Sequence, residues 1–133
     1  MQASFFAKAV LIAAGAVLIN GCRSQPIHEV VAAPVPVVGK TVSMDEVLKA
    51  MVRAGVRAGW EMLPEQPGRI SGRYVRGQHR ANVDITYNTK TYDIKYRDSS
   101  WGAEGTGQVH RVYNTWVQNL DRAIRSELVQ LNH

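Results

Sequence analysis

His79 and His110, with Asp84, Asp98 and Ser99, supply the residue types of a nucleophile, a base and an orienting acid. Their spacing does not support such a relay. No GxSxG elbow sets a serine on a strand-to-helix turn, and no HExxH pair sets two histidines on one helix face. Two isolated histidines also fall short of a metal-ligand set. Gly105-Thr106-Gly107 lies between a strand pattern and a helix pattern, as a phosphate loop would. The third glycine of that motif is replaced by His110, and no GK[ST] follows. The sequence therefore predicts no catalytic residue, no metal, no cofactor and no enzyme.

Cys22 is the one reactive thiol left, and it is the only cysteine in 133 residues. It has no partner for a disulfide or a CxxC pair, so the folded part must hold itself by burial. Upstream, Lys8 precedes the uncharged run AVLIAAGAVLI at Ala9–Ile19. A basic start, a short apolar core and small residues make a secretory signal. That core is shorter than the roughly 20 residues a spanning helix needs. The following Ile19-Asn20-Gly21-Cys22 resembles the lipobox of bacterial lipoproteins, with Asn20 as its departure from the pattern. The resemblance implies cleavage before Cys22 and a diacylglycerol on its sulfur, which makes the membrane a partner. Arg23 stands where an aspartate would favour the inner membrane, so the same resemblance implies the outer membrane, facing the periplasm.

The chain then divides into a signal at 1–21, a lipidated cysteine with a Pro-rich tether at 22–40, and one domain at 41–133. QPIHEVVAAPVPVVGK, Gln25–Lys40, carries three prolines, which disfavour helix and ladder. At about 3.1 Å per residue, an extended Pro-rich tether holds the domain roughly 50 Å from the membrane. The alternative is that Val30-Val31 or Val37-Val38 folds back as an edge strand.

Within 41–133, Ser43-Met44-Asp45-Glu46 has the form of a capping box. Leu48, Met51, Val52 and Val56 follow at helical spacing, and Gly59 supplies a stop, so a helix is expected over 44–58. Four runs of period two come next: Trp60 with Met62, Ile70 to Tyr74, Ala81 to Tyr87 and Tyr92 to Tyr96. A second helical stripe runs through Tyr113, Trp116, Val117, Leu120, Ile124, Leu128 and Leu131. The expected fold is α+β, in the order α-β-β-β-β-α. It is a four-stranded antiparallel meander with two helices packed on one face and water on the other.

Trp60, Pro67–Ile70, the VDITYNTKTYDIKYRDS stretch at Val83–Ser99 and the YNTWVQNLDRAI helix at Tyr113–Ile124 resemble a group of small proteobacterial lipoproteins. The resemblance covers most of the chain after Cys22. It implies an envelope location and a similar α+β domain. The group brings no established activity, so it assigns no catalytic residue here.

The whole chain holds 16 bases and 11 acids. Loss of residues 1–21 removes only Lys8, leaving a net charge of +4. Arg69–Arg97 holds seven bases against Asp84 and Asp93. Strand parity sends these charges to the uncovered face, with the tyrosines turned inward, under the helices. The sequence therefore nominates Arg69, Arg73, Arg80, Lys95 and Arg97, with the loop residue Trp101, as a ligand-binding set. Its ligand would be an anionic envelope component or an acidic envelope protein. The alternative is a structural subunit of an envelope complex. Inward tyrosines leave no stacking platform for nucleic acid. Trp101 itself has two readings, a side chain folded back onto the core or one presented for recognition.

Overall fold

The computed structural model describes residues 24–101 and 106–133. The expected signal at 1–21, Cys22 and Arg23 lie outside the described residues, as do 102–105 of the glycine-rich loop. In chain order the elements are β1 (Ser24–Pro26), β2 (Val30–Pro34), α1 (Met44–Arg57), β3 (Glu61–Gln66), β4 (Arg69–Arg76), β5 (His79–Tyr87), β6 (Thr91–Ser99), β7 (Gln108–His110) and α2 (Arg111–Val129). A 3-10 turn at Gln130–Asn132 follows α2.

The expected meander is present as β3 to β6, but the main sheet has five strands rather than four. Its order is β2-β6-β5-β4-β3, antiparallel throughout, and β1 pairs with β7 in a separate two-stranded ribbon. Two of the three additional strands, β1 and β2, come from the segment expected to be a tether. Val30 stands opposite Ile94 and Ala33 opposite Tyr92, so β2 closes the otherwise open edge of β6. Proline is tolerated there because Pro34 ends an edge strand and Pro26 ends the β1 ribbon. A bulge between Val30 and Ala33 bends the strand. It leaves Ala32 at φ +52°, with its N–H donating to an Asp93 carboxylate oxygen at 2.6 Å.

Side chains of α2 fix the rest of this segment. Asn114, only 5% exposed, accepts the His28 N–H at 2.9 Å and donates to the Pro26 carbonyl at 2.9 Å and to Gln25 Oε1 at 3.1 Å. At the other end of the helix Asn132 accepts the Val38 N–H and donates to the Pro36 carbonyl. One buried amide thus satisfies two backbone groups of the segment, while its Val30 and Val35 enter the core.

α1 forms as its pattern requires. The Glu46 N–H donates to Ser43 Oγ at 3.1 Å, and Glu46 Oε1 accepts the Ser43 N–H at 3.0 Å. The helix ends where Gly59 takes φ +88°, a left-handed conformation that favours glycine. Gly55 allows close approach to β3: a Cβ there would lie 2.1 Å from Met62 Cγ. Val47, Ala50, Met51 and Ala54 meet the core with Val117, Leu120, Ile124 and Leu128 of α2. Burial of each large aliphatic side chain stabilises the fold by about 1.5–3 kcal/mol.

The basic line Lys49, Arg53 and Arg57 on α1 is neutralised locally. Lys49 pairs with Asp45 at 3.0 Å. Arg53 Nε donates to Glu127 Oε1 at 3.1 Å, and Arg57 reaches the other Glu127 oxygen. The hydrogen bond from Arg53 holds the Glu127 carboxyl below its usual range; burial opposes this and Arg57 reinforces it. A carboxylate with a lowered folded-state pKa adds stability above its unfolded value, and that stability is lost as pH falls through the folded value.

Two outcomes follow. Asn114→Ala should cost about 2 kcal/mol in urea unfolding, because three hydrogen bonds from one buried amide to the 25–28 segment are lost. Hydrogen exchange should accelerate at His28 and leave α1 unchanged. Glu127→Gln should flatten the fall in stability below about pH 4.3, the ordinary glutamate value, in urea titrations run across acid pH.

Candidate functional site

Alternation in the meander turns Ile70 and Gly72, Ala81, Val83, Ile85 and Tyr87, and Tyr92 and Ile94 toward the helices. Their neighbours line the opposite face. Cross-strand register there sets Glu61 beside Arg73, Arg73 beside Asn82 and Asn82 beside Asp98. A second row runs Leu63, Ser71, Asp84, Lys95, and a third Gln66, Arg69, Thr86, Asp93. The face is therefore a mosaic. Glu61 on β3 and Asp98 on β6 answer bases that a count over 69–97 leaves unopposed.

Two of the five nominated bases are paired. Asp84 receives Arg97 Nη2 at 2.5 Å and Arg69 Nη2 at 3.5 Å. The bond to Asp84 raises the Arg97 pKa and fixes its charge. These side chains are 39% and 42% exposed, so such pairs contribute under about 1 kcal/mol each. Their effect on binding is larger than on stability, since the Asp84 charge cancels part of what an anion would meet. Among the described residues no ion pair reaches Arg73, Arg80 or Lys95, and the same holds for Arg76. Arg73 and Arg80 lie on this face near the β4–β5 hairpin, with Val75 opposite Arg80, while Arg76, opposite His79, has the parity of the helix side. Val75 is 53% exposed, an apolar side chain among these arginines.

Trp101 is half-buried and packs onto the core. Its ring stacks between His79, at 4.7 Å and 10°, and His110, at 5.4 Å and 12°. Beneath it lies Trp116 at 5.2 Å. The series continues from Trp116 to Tyr74 at 4.5 Å and from Tyr74 to Trp60 at 5.4 Å. Aromatic pairs at these separations add about 0.5–1.5 kcal/mol beyond their burial. Trp60 packs over Gly72, where a Cβ would stand 3.4 Å from the indole and would crowd Val83 at 2.9 Å. Trp101 is thus set apart from the five bases it was grouped with, although it adjoins the hairpin that carries Arg80.

The histidines have roles that spacing did not reveal. His79 begins β5 and covers one side of Trp101. His110 covers the other and caps α2, its ring Nδ1 accepting the Val112 N–H at 3.2 Å. A histidine directly before a helical stripe was the available signal for the cap.

Tyr92 turns inward under the helices, as strand parity requires. It is 1% exposed and donates to Asp121 at 2.5 Å. Burial, then this bond, pushes its pKa well above the usual phenol value. Burial does the same for Tyr113, whose hydroxyl has no hydrogen-bond partner among the described residues.

Concave surface is shallow. One groove of about 420 Å³ is lined by Met44, Leu48, Pro64, Pro67 and Tyr87, and another of about 360 Å³ by Lys40, Thr41, Thr89 and Lys90. Among the described residues no three His, Cys, Asp or Glu side chains gather as a metal site.

Trp101→Ala should lower stability by about 2 kcal/mol, less than the ~3–5 kcal/mol typical of a fully buried tryptophan. Thermal unfolding measures the loss, and Trp101→Phe should recover most of it. No family model, curated protein or solved structure matches the chain.

Proposed function

We propose that this chain is a lipid-anchored domain of the bacterial envelope, acylated at Cys22 and held at the outer membrane facing the periplasm. Its function is to bind an anionic component of the envelope through bases on the uncovered sheet face. The observation that carries the anchor is the sole cysteine, set directly after an apolar run in Ile19-Asn20-Gly21-Cys22. Charge supports the binding role. Arg73, Arg80 and Lys95 stand exposed on the uncovered face with no acid bonded to them among the described residues. Arg69 and Arg97, shared with Asp84, contribute less. We assign the domain no catalytic chemistry.

A second reading, a structural subunit of an envelope complex, is favoured by one feature. Leu63 and Val75 stand 61% and 53% exposed on the same face, where a protein partner would cover them. Crosslinking in cells separates the readings: one dominant protein adduct supports the subunit, and diffuse lipid or glycan capture supports the anion-binding domain.

Growth with a labelled fatty acid should mark the wild-type chain and send it to the membrane fraction. Cys22→Ser should lose the label and leave circular dichroism unchanged. A wild-type chain that takes up no label and stays soluble contradicts the anchor. Retention on lipopolysaccharide, peptidoglycan or anionic lipid should be salt-sensitive, falling about fivefold for each of Arg73→Glu and Arg80→Glu.

A further inference from the structure

The N-terminal segment has almost no slack, and this determines what the domain touches. Pairing of β1 with β7 begins at Ser24, opposite His110. Ile27 then donates to the Gly107 carbonyl, His28 to Asn114, and Val30–Pro34 joins β6. Val35 donates to the Lys90 carbonyl and Val38 to Asn132. The 24–38 segment is bound to the domain along its length instead of spanning toward a distant membrane.

Two peptide units separate Cys22 from Ser24, a reach of at most ~7.6 Å between Cα atoms. The headgroup layer on one side of a bilayer is itself about 5–8 Å thick. A lipid on Cys22 therefore brings β1 to the headgroups. The same end of the domain carries the hairpin arginines. Ser24 is the register partner of His110, the His110 ring is 5.4 Å from Trp101, and Trp101 is 4.7 Å from His79. His79 adjoins Arg80 and stands opposite Arg76. Arg111 follows His110 at the same end and is exposed.

We propose that this end of the domain, made by the β1–β7 ribbon and the β4–β5 hairpin, lies on the membrane that holds the anchor. Arg76, Arg80 and Arg111 meet its anionic headgroups, and Val75 meets the interface. The proposal rests on the lipid-anchor reading and shares only Arg80 with the bases of the uncovered sheet face. Magnitudes separate it from a tethered domain. Screening at physiological salt extends about 8 Å, so arginines held roughly 50 Å away would feel no surface charge. In contact, each gains about fivefold in binding.

The test supplies the anchor chemically, so that it does not depend on acylation in cells. The chain from Cys22 onward retains every described residue and the whole core. It is coupled through its sole thiol to a maleimide lipid in phosphatidylcholine vesicles with or without phosphatidylglycerol. Hydrogen exchange is then read by mass spectrometry. Coupling should slow exchange at 74–80 and 108–112 when phosphatidylglycerol is present and leave 88–91 unchanged. Arg76→Glu with Arg80→Glu should abolish the slowing at 74–80, whereas Lys90→Glu, at the opposite end of the sheet, should not. Equal exchange in both vesicles, slowing at 88–91 instead, or rapid exchange across 24–34 on coupling overturns the proposal. Failure of fatty-acid labelling in cells would remove the natural anchor, a separate result from this one.

Discussion

The edge of β6 is the constraint on which the arrangement of this domain turns. A strand with buried Tyr92 and Ile94 on one face and charged Asp93 and Lys95 on the other cannot leave its backbone bare without inviting another chain. The chain solves this with its own upstream segment. β2 pairs with β6, and the buried amide of Asn114 satisfies the backbone on the approach to it. Closing that edge also removes slack between Ser24 and the rest of the domain. A requirement of backbone hydrogen bonding thus fixes how far the start of the described chain can stand from the sheet.

The opposite edge is managed differently. β3 carries Glu61, Pro64 and Glu65, and charge with proline discourages addition of a further strand. The edges that remain are thus β2, short and bulged with a terminal proline, and β3, blunted by charge and proline. The bases of the outer face are tempered by acids on neighbouring strands along the middle of the sheet and are uncompensated chiefly at the β4–β5 hairpin. The aromatic series from Trp60 to Trp101 braces that hairpin against α2, so its arginines are presented by a packed end of the molecule.

Much of this was legible in the sequence, for definite reasons. The period-two runs from Met62 to Tyr96 and the helical stripes through Met51 and Leu120 each had enough repeats to fix element type and buried face. Ser43 and Glu46 fixed the start of α1. The docked N-terminal segment was legible only as the alternative to a tether, Val30-Val31 folding back as an edge strand, which β2 bears out. Val30–Pro34 is short, and its prolines and alanines are equally compatible with a free extended chain. What holds it is the β6 ladder, the burial of Val30 and Val35 and the amide of Asn114, more than 80 residues away, and no local pattern reports such partners. The outer face misled for a related reason: Glu61 and Asp98 fall outside the stretch over which charge was counted and become neighbours only through register. Trp101 lacked apolar neighbours in sequence because its neighbours are His79, His110 and Trp116.

The central claim is that residues 24–38 belong to the folded domain. Backbone 15N relaxation of the chain from Cys22 onward measures this directly. The account predicts order parameters near 0.85 for 27–35, equal to those of β5. Values below about 0.6 across that stretch, with β5 rigid, would contradict it.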